Sequence, residues 1–269
     1  MFEPFEYTSR PSECFNSKPL VLYENYTSHC VDIVCFVIFW KLLECKWAPR
    51  FLQRFVPQYH TMDEPRQQQW HVRFVSTVFS CCIVPSAIYC VWYDPALQHS
   101  PLNGTSSVSR FTAHMAFSYF LWDIWICIQY YSDYGFSFLF HGLFCALAYL
   151  IITFPQCMMK CGFSALLYEA STPFLNARWC LRDINMHRTN TWHYANVLFA
   201  IVFVIVRVCF GTWLIHVVIQ SASTDICVPL WIRILSVIII TASYILNGYW
   251  TVNIAKNAIK HSKKTAKKE

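Results

Sequence analysis

Long apolar stretches limit what this chain can fold into, because several of them are long enough to cross a lipid bilayer. A transmembrane helix needs about 20 mostly apolar residues. Six stretches come close to this requirement: 28–47, 72–92, 111–131, 136–156, 193–219 and 229–255. The first is the weakest, because four charged residues interrupt it towards its ends. Only 13% of the residues are charged, against about 25% in soluble domains. We therefore predict an all-α multi-pass membrane protein.

The distribution of basic residues predicts how the chain crosses the membrane. Lys and Arg accumulate in cytoplasmic loops, and here they occupy 48–71, 180–192 and the tail at 256–269. These regions fall on one side only if the chain also crosses once between 157 and about 178. The sequence thus predicts seven transmembrane helices, with a lumenal N-terminal segment (1–27) and a cytosolic C-terminus. Two N-glycosylation sequons, at Asn25 and Asn103, are then lumenal.

The extra crossing includes the polar sequence YEASTPFLNARW at 168–179. Pro173 has no N–H, so the carbonyl of Glu169 loses its helical partner. In lipid that carbonyl must find another donor, and we expect the hydroxyl of Ser171 or Thr172, or a neighbouring helix, to supply it. A broken helix is tolerated where it faces protein or a cavity, so the segment is expected to line an interior chamber. Its further polar residues are Asn176 and Arg178.

Ionisable residues inside the predicted helices indicate a functional interior. Asp123 and His141 lie on either side of a predicted turn at 132–135, each roughly 10–14 Å below it. A carboxylate that orients an imidazole is a general-base arrangement; the alternative is a buried hydrogen bond that joins two helices. Arg207 needs a carboxylate, either Asp123 or Glu169, and Asn247 offers a further hydrogen bond. His114 is expected to be a packing or interfacial residue.

Other composition features argue against several classes of function. The 14 cysteines are scattered through apolar stretches without zinc spacing, so we predict no metal site. Six of the lysines lie between Lys256 and Lys268, which favours a membrane-proximal tail over a nucleic-acid interface. Phosphate-binding glycine loops and hydrolase motifs do not occur in the sequence.

Several motifs together resemble the TLC (TRAM–LAG1–CLN8) domain family, in particular its small TLC-domain-containing branch, over 68–255. They are YFLWD ending at Asp123, His141 in the next helix, EASTPFLNARW at 169–179 and NGYW at 247–250. The resemblance implies a six-helix barrel around a central cavity, with a first peripheral helix within 28–67, in the endoplasmic reticulum. His141 matches the first of the paired histidines of the distantly related ceramide synthases, whereas Gly142 replaces the second.

Three functions are open at this stage. The first is lipid homeostasis, in which the protein binds membrane lipids and fatty acyl chains in its cavity. The alternative is an acyltransferase that uses His141 and Asp123, with acyl-CoA as substrate and no other cofactor. A transporter or channel is disfavoured, because neither internal repeats nor a polar through-path is evident. Nucleic acid is not an expected partner, protein partners are not indicated, and a homodimer is left open.

Overall fold

The computed structural model describes residues 26–225 and 228–265, with side chains up to 256, and all regular elements in these residues are helical. The α-helices are α1 (Tyr26–Leu42), α2 (Ala48–Phe55), α3 (Glu64–Trp92), α4 (Pro95–His99), α5 (Ser107–Gln129), α6 (Tyr131–Thr153), α7 (Met159–Leu166), α8 (Thr172–Asp183), α9 (Asn190–Phe203), α10 (Phe210–Thr224) and α11 (Leu230–Thr265). Two π-helical turns, Leu43–Trp47 and Val204–Cys209, join α1 to α2 and α9 to α10.

Five helical stretches in the described residues are long and apolar enough to cross a membrane. They are Glu64–Trp92, Ser107–Gln129, Tyr131–Thr153, Asn190–Thr224 and Leu230–Lys256. Each coincides with one of the predicted stretches, so the all-α multi-pass prediction is confirmed. The predicted first stretch (28–47) is also helical, and so is most of the segment 157–178, but neither is among these five stretches.

Six helical segments pack into a closed ring. Around the ring, α3 packs on α5, α5 on α6, α6 on α11, and α11 on the continuous helix formed by α9 and α10. That helix contacts the segment α7–α8, which packs back against α3. Helix α6 is kinked near its start at Gly135, whose φ of 69° suits a residue without a side chain, and the chain reverses between the end of α5 and this kink. The turn expected at 132–135 therefore lies where the sequence placed it.

Helix α1 lies outside this ring and packs on α5. Buried apolar residues such as Trp40 pack there, and polar residues add hydrogen bonds. Glu44 is 3% exposed and accepts hydrogen bonds from the Trp122 indole (2.9 Å) and the Gln68 amide (2.6 Å), as well as from Lys41 on its own helix. His114, which is 5% exposed, lies 2.6 Å from His29 through ring nitrogens. Glu44, one of the four charges that weaken the first apolar stretch, thus helps to dock it.

The segment α7–α8 is a helix broken at the polar sequence, as expected. A 3₁₀ turn, Leu167–Ser171, separates its two halves, and Pro173 lies in the first turn of α8, where a missing N–H costs little. The predicted donor for the Glu169 carbonyl is wrong, however. The backbone N–H of Thr172 donates to it, because the tighter 3₁₀ turn brings this N–H within reach. The side-chain hydroxyls of Ser171 and Thr172 make other bonds.

The last helix is longer than the sequence predicted. Helix α11 continues to Thr265, so the start of the predicted tail at 256 does not coincide with a helix end. Residues 1–25, including Asn25, lie outside the described residues. The other sequon, at Asn103, is exposed in the loop between α4 and α5.

Candidate functional site

A narrow cavity lies inside the ring, between α6, α7 and α11. Its volume is ≈ 60 Å³. That is room for on the order of five water molecules. Its wall is formed by Phe120, His141, Phe144, Cys145, Ala148, Tyr149, Gly162, Ala165, Leu166, Tyr168, Glu169, Arg207, Ile239, Ile240, Ser243, Leu246 and Asn247. Most of these side chains are apolar or aromatic, and the polar ones are few.

One wall of the cavity carries an ion pair between Glu169 and Arg207. Each residue is 7% exposed, and a guanidinium nitrogen of Arg207 lies 3.6 Å from Oε1 of Glu169. Arg207 also donates to the Ser171 hydroxyl (3.1 Å) and to the Asn247 amide oxygen (3.2 Å). The carboxylate accepts a closer hydrogen bond from the Thr172 hydroxyl, at 2.7 Å. Glu169 is therefore the carboxylate that Arg207 requires, and the other candidate, Asp123, is not.

The position of Arg207 depends on a π-helical turn, Val204–Cys209. Such turns shift the register of a helix locally and occur often at functional sites. The guanidinium carbon lies 5.5 Å from the ring centres of Phe203 and Trp250, and 5.9 Å from that of Tyr168. The rings provide cation–π contacts to a guanidinium that is buried from the protein surface. The positive charge is thus held at the cavity wall by aromatic faces as well as by Glu169.

His141 lies on the cavity wall, on α6. Its ring packs edge-on against Trp250 (5.5 Å between centroids) and Phe120 (6.0 Å). The thiol of Cys145, one turn further along the helix, lies 3.6 Å from Nδ1. The imidazole is therefore positioned to contact whatever enters the cavity.

Asp123 does not form the predicted hydrogen bond with His141. Its Oδ2 lies 3.1 Å from where a Cβ on Gly142 would be, and no hydrogen bond of this carboxylate occurs within the described residues. The two residues are at matched depth on adjacent helices, as expected. Consecutive residues of a helix point about 100° apart. The carboxylate therefore packs against the backbone at Gly142, while the imidazole turns into the cavity.

The remaining polar residues of the 168–179 sequence join helices and do not line the cavity. Asn176 is 8% exposed and donates to the hydroxyls of Ser76 (2.7 Å) and Thr77 (2.9 Å), which attaches α8 to α3. Arg178 donates to the Asn196 amide oxygen (3.3 Å) and stacks on Phe199, which attaches α8 to α9. The sequence thus connects three parts of the ring.

The sequence interpretation missed several residues of the cavity wall. Cys145, Phe144, Ala148 and Tyr149 all follow His141 at spacings that place them on its helix face. That periodicity was available in the sequence as a signal. Phe120, which lies one turn before Asp123 on α5, had no comparable signal. In the described residues, no group of three or more His, Cys, Asp or Glu side chains has metal-binding geometry.

The ring of helices and its largely apolar interior define a multi-pass membrane protein with an internal cavity. The TLC domain family (TRAM_LAG1_CLN8) matches residues 69–256, most of the chain, so the protein belongs to this family.

Three curated relatives illustrate the similarity. "Topoisomerase I damage affected protein 4" of Saccharomyces cerevisiae is 28% identical over 69% of this chain and 68% of its own. "TLC domain-containing protein 4-B" of Danio rerio is 26% identical over 79% of this chain and 82% of its own. "TLC domain-containing protein 4" of Homo sapiens is 25% identical over 87% of this chain and 91% of its own.

Proposed function

We propose that the protein binds acyl-chain lipids in its cavity and thereby influences the lipid composition of its membrane. The observation that carries this proposal is the make-up of the cavity wall. It is largely apolar and aromatic, yet it has one polar side formed by Glu169, Arg207 and Asn247. An amphiphile with a hydrocarbon chain and one polar group matches such a wall, because the few polar residues fix its orientation.

The size of the cavity determines how a lipid enters. A volume of ≈ 60 Å³ admits part of an acyl chain but no complete lipid. The wall is formed by separate helices, α6 and α11 among them, and the Glu169–Arg207 distance of 3.6 Å is long for a hydrogen-bonded pair. Separation of these helices by a small amount, with rotation of the side chains between them, widens the cavity. Lipid binding is then coupled to a modest opening of the ring.

The membrane topology is part of the proposal. We place the protein in the endoplasmic reticulum, with seven transmembrane helices, a lumenal N-terminus and a cytosolic C-terminus. The continuous helix Tyr26–Phe55 and the broken helix Met159–Asp183 supply the two crossings beyond the five clear ones. The exposed Asn103 offers a test, because this topology makes its sequon lumenal. Expressed in cells, wild type is expected to carry a glycan there that Asn103→Gln lacks; a cytosolic loop would show no difference.

An acyl-CoA-dependent acyltransferase is the second candidate, and one observation favours it. His141 lies on the cavity wall, where its imidazole contacts the volume that an acyl chain would occupy. Asp123 does not orient this ring, so in such an enzyme His141 would act without the carboxylate partner that the sequence suggested. A transporter or channel has less support, since the cavity has few polar residues.

The main test is to fill the cavity and measure lipid retention. Ala148 lies on the cavity wall, so Ala148→Phe is expected to displace lipid from the purified protein. Leu143→Phe is the matched control, because Leu143 is on the same helix but 49% exposed towards the membrane. Lipids that copurify with each variant are extracted and quantified by mass spectrometry. Equal retention of lipid by wild type and Ala148→Phe would contradict the proposal.

The enzyme alternative is tested on the same preparations. Wild type is incubated with labelled acyl-CoA and either sphingoid bases or lysophospholipids. Product formation that disappears in His141→Ala and persists in Leu143→Phe would establish acyl transfer. Asp123→Asn reports whether the carboxylate contributes from its position beside Gly142. Copurified lipid without product would support the binding function and not the acyltransferase.

A further inference from the structure

A second polar site lies outside the cavity, around Arg73 on α3. The plane of its guanidinium stacks on the Trp179 ring, with the central carbon 3.6 Å from the ring centroid. One nitrogen donates to the Gln69 carbonyl of its own helix (3.0 Å). No carboxylate in the described residues lies within 4.0 Å of it. The nearby Asp183 is already paired with Arg66 (2.8 Å) and with the Trp70 indole (2.7 Å).

Tyr134 supplies an independent sign that this site takes a ligand. Its hydroxyl faces the Arg73 guanidinium and is buried. Its interaction with Arg73 falls outside normal hydrogen-bond geometry, and the described residues give it no other hydrogen-bond partner. Buried polar groups are nearly always hydrogen-bonded, and one that is not needs an explanation. The phenol and the arginine therefore place hydrogen-bond donors side by side.

The chemistry of these groups selects a phosphate oxyanion. Arginine stays charged in proteins, and its fork of N–H groups matches the oxygens of phosphate. Stacking on Trp179 fixes the plane of the guanidinium, so its outer edge stays available for a ligand. A half-buried guanidinium whose nearby carboxylate, Asp183, is already paired elsewhere is also costly. A bound anion removes that cost.

The position of the site in the membrane indicates a lipid as the source of the phosphate. Arg73 lies one residue inside the apolar stretch that begins at 72, at the boundary where lipid headgroups are found. Asn176 lies at the same depth as Arg73, because its amide donates to the Arg73 carbonyl (3.2 Å). Glu169, on the cavity wall, precedes Asn176 by seven residues, or roughly 10 Å of helix. That distance suits a headgroup at Arg73 and a chain in the cavity.

We propose that Arg73, Tyr134 and Trp179 form a binding site for the phosphate group of a lipid whose acyl chain occupies the cavity. This inference rests on the proposed function, because it names the class of lipid that the cavity accepts. It identifies the ligand as a phospholipid with an accessible phosphate, such as a phosphate monoester on diacylglycerol. Inorganic phosphate shares the same chemistry and is the other source that the site could take.

The test compares two lipids that differ only in the phosphate. Binding of dioleoyl phosphatidic acid and of dioleoylglycerol to delipidated, full-length protein is measured by native mass spectrometry. We expect wild type to bind the phosphatidic acid about tenfold more tightly or better, a gain typical of hydrogen bonds to a charged group. Arg73→Gln is expected to abolish this preference. Arg188→Gln, which removes an exposed charge elsewhere, is expected to keep it.

Tyr134→Phe keeps the test decisive if Arg73→Gln fails to fold, since it removes only a hydroxyl. It is expected to lower the preference for phosphatidic acid over dioleoylglycerol about threefold, which corresponds to the loss of one neutral hydrogen bond. An equal affinity of wild type for both lipids would overturn the phosphate site while leaving lipid binding intact. So would a preference that is unchanged in Tyr134→Phe and in a folded Arg73→Gln. Failure of both lipids to bind would instead contradict the proposed function. Displacement by millimolar inorganic phosphate without a lipid preference would identify a free-phosphate site and overturn the lipid source.

Discussion

Removal of either charge of the Glu169–Arg207 pair is the perturbation with the largest expected effect on the fold. Both residues are 7% exposed, and the pair lies inside the ring. In Glu169→Gln the guanidinium of Arg207 keeps neutral acceptors on Ser171 and Asn247 but loses its counter-charge. In Arg207→Met the carboxylate keeps only the Thr172 hydroxyl as a hydrogen-bond donor among the described side chains. Each single variant therefore leaves a buried charge without compensation.

The magnitude follows from the cost of such a charge. Breaking a buried pair by removing one partner typically costs about 3–5 kcal/mol. Arg207→Met also loses two hydrogen bonds, so it is expected at the upper end of this range. The double variant Glu169→Gln/Arg207→Met removes both charges and is expected to recover most of the loss, because replacement of a buried pair by neutral groups is often close to neutral in stability. The difference between single and double variants measures the coupling.

Thermal unfolding of the detergent-purified protein, followed by tryptophan fluorescence, provides the measurement. A loss of 3–5 kcal/mol lowers Tm by roughly 6–20 °C for a chain of this size. Arg188→Met serves as the control, since an exposed arginine is expected to change Tm little. Single variants with wild-type Tm and folded yield would refute the assignment of this pair as a buried, stabilising element. So would a double variant as unstable as the sum of the singles.

Three further predictions concern contacts between helices, each read out by the same unfolding assay. Asn176→Ala is expected to cost about 1–2 kcal/mol, because two hydroxyls on α3 lose a buried donor; no change in Tm would mean that the amide is dispensable. Glu44→Gln is expected to cost about 1–3 kcal/mol, since its donors lose a charged acceptor, whereas the exposed Lys46→Gln should be neutral. Gly142→Ala should be less stable than Gly248→Ala by about 1–3 kcal/mol, because only the former meets neighbouring atoms within 4 Å; equal effects would argue against tight packing there.

Much of the fold could be predicted from the sequence, because hydrocarbon imposes simple requirements on a chain. The apolar length of stretches such as 111–131 and 229–255 predicted membrane helices directly. The break at Pro173 was also predictable, since a proline removes a backbone donor in any environment. The donor that replaces it could not be predicted. From the sequence alone, a backbone N–H in a 3₁₀ turn and a side-chain hydroxyl are equally plausible donors to this carbonyl. Only the backbone coordinates distinguish them.

The site was predictable where one residue has few chemical options. Arg207 cannot lose its charge, and Glu169 was one of two deep carboxylates, so a pair between them was a short inference that the structure bears out. The π-helical turn that positions Arg207 gives no sequence signal, because its residues are ordinary apolar ones. Nothing in the sequence shows that Arg73 stacks on Trp179, about a hundred positions away.

The relation between Asp123 and His141 shows why matched depth is insufficient to predict a chemical pair. Depth along two helices is set by chain length, whereas contact also requires both side chains to face each other. A Cβ at Gly142 would lie 3.1 Å from Asp123 Oδ2 and 3.2 Å from the Ile124 side chain, so α5 and α6 approach closely there. A second histidine at this position would require Asp123 or Ile124 to shift by a few tenths of an ångström. The glycine that breaks the paired-histidine pattern therefore accommodates Asp123 beside the helix, leaving His141 as the single imidazole that this helix turns to the cavity.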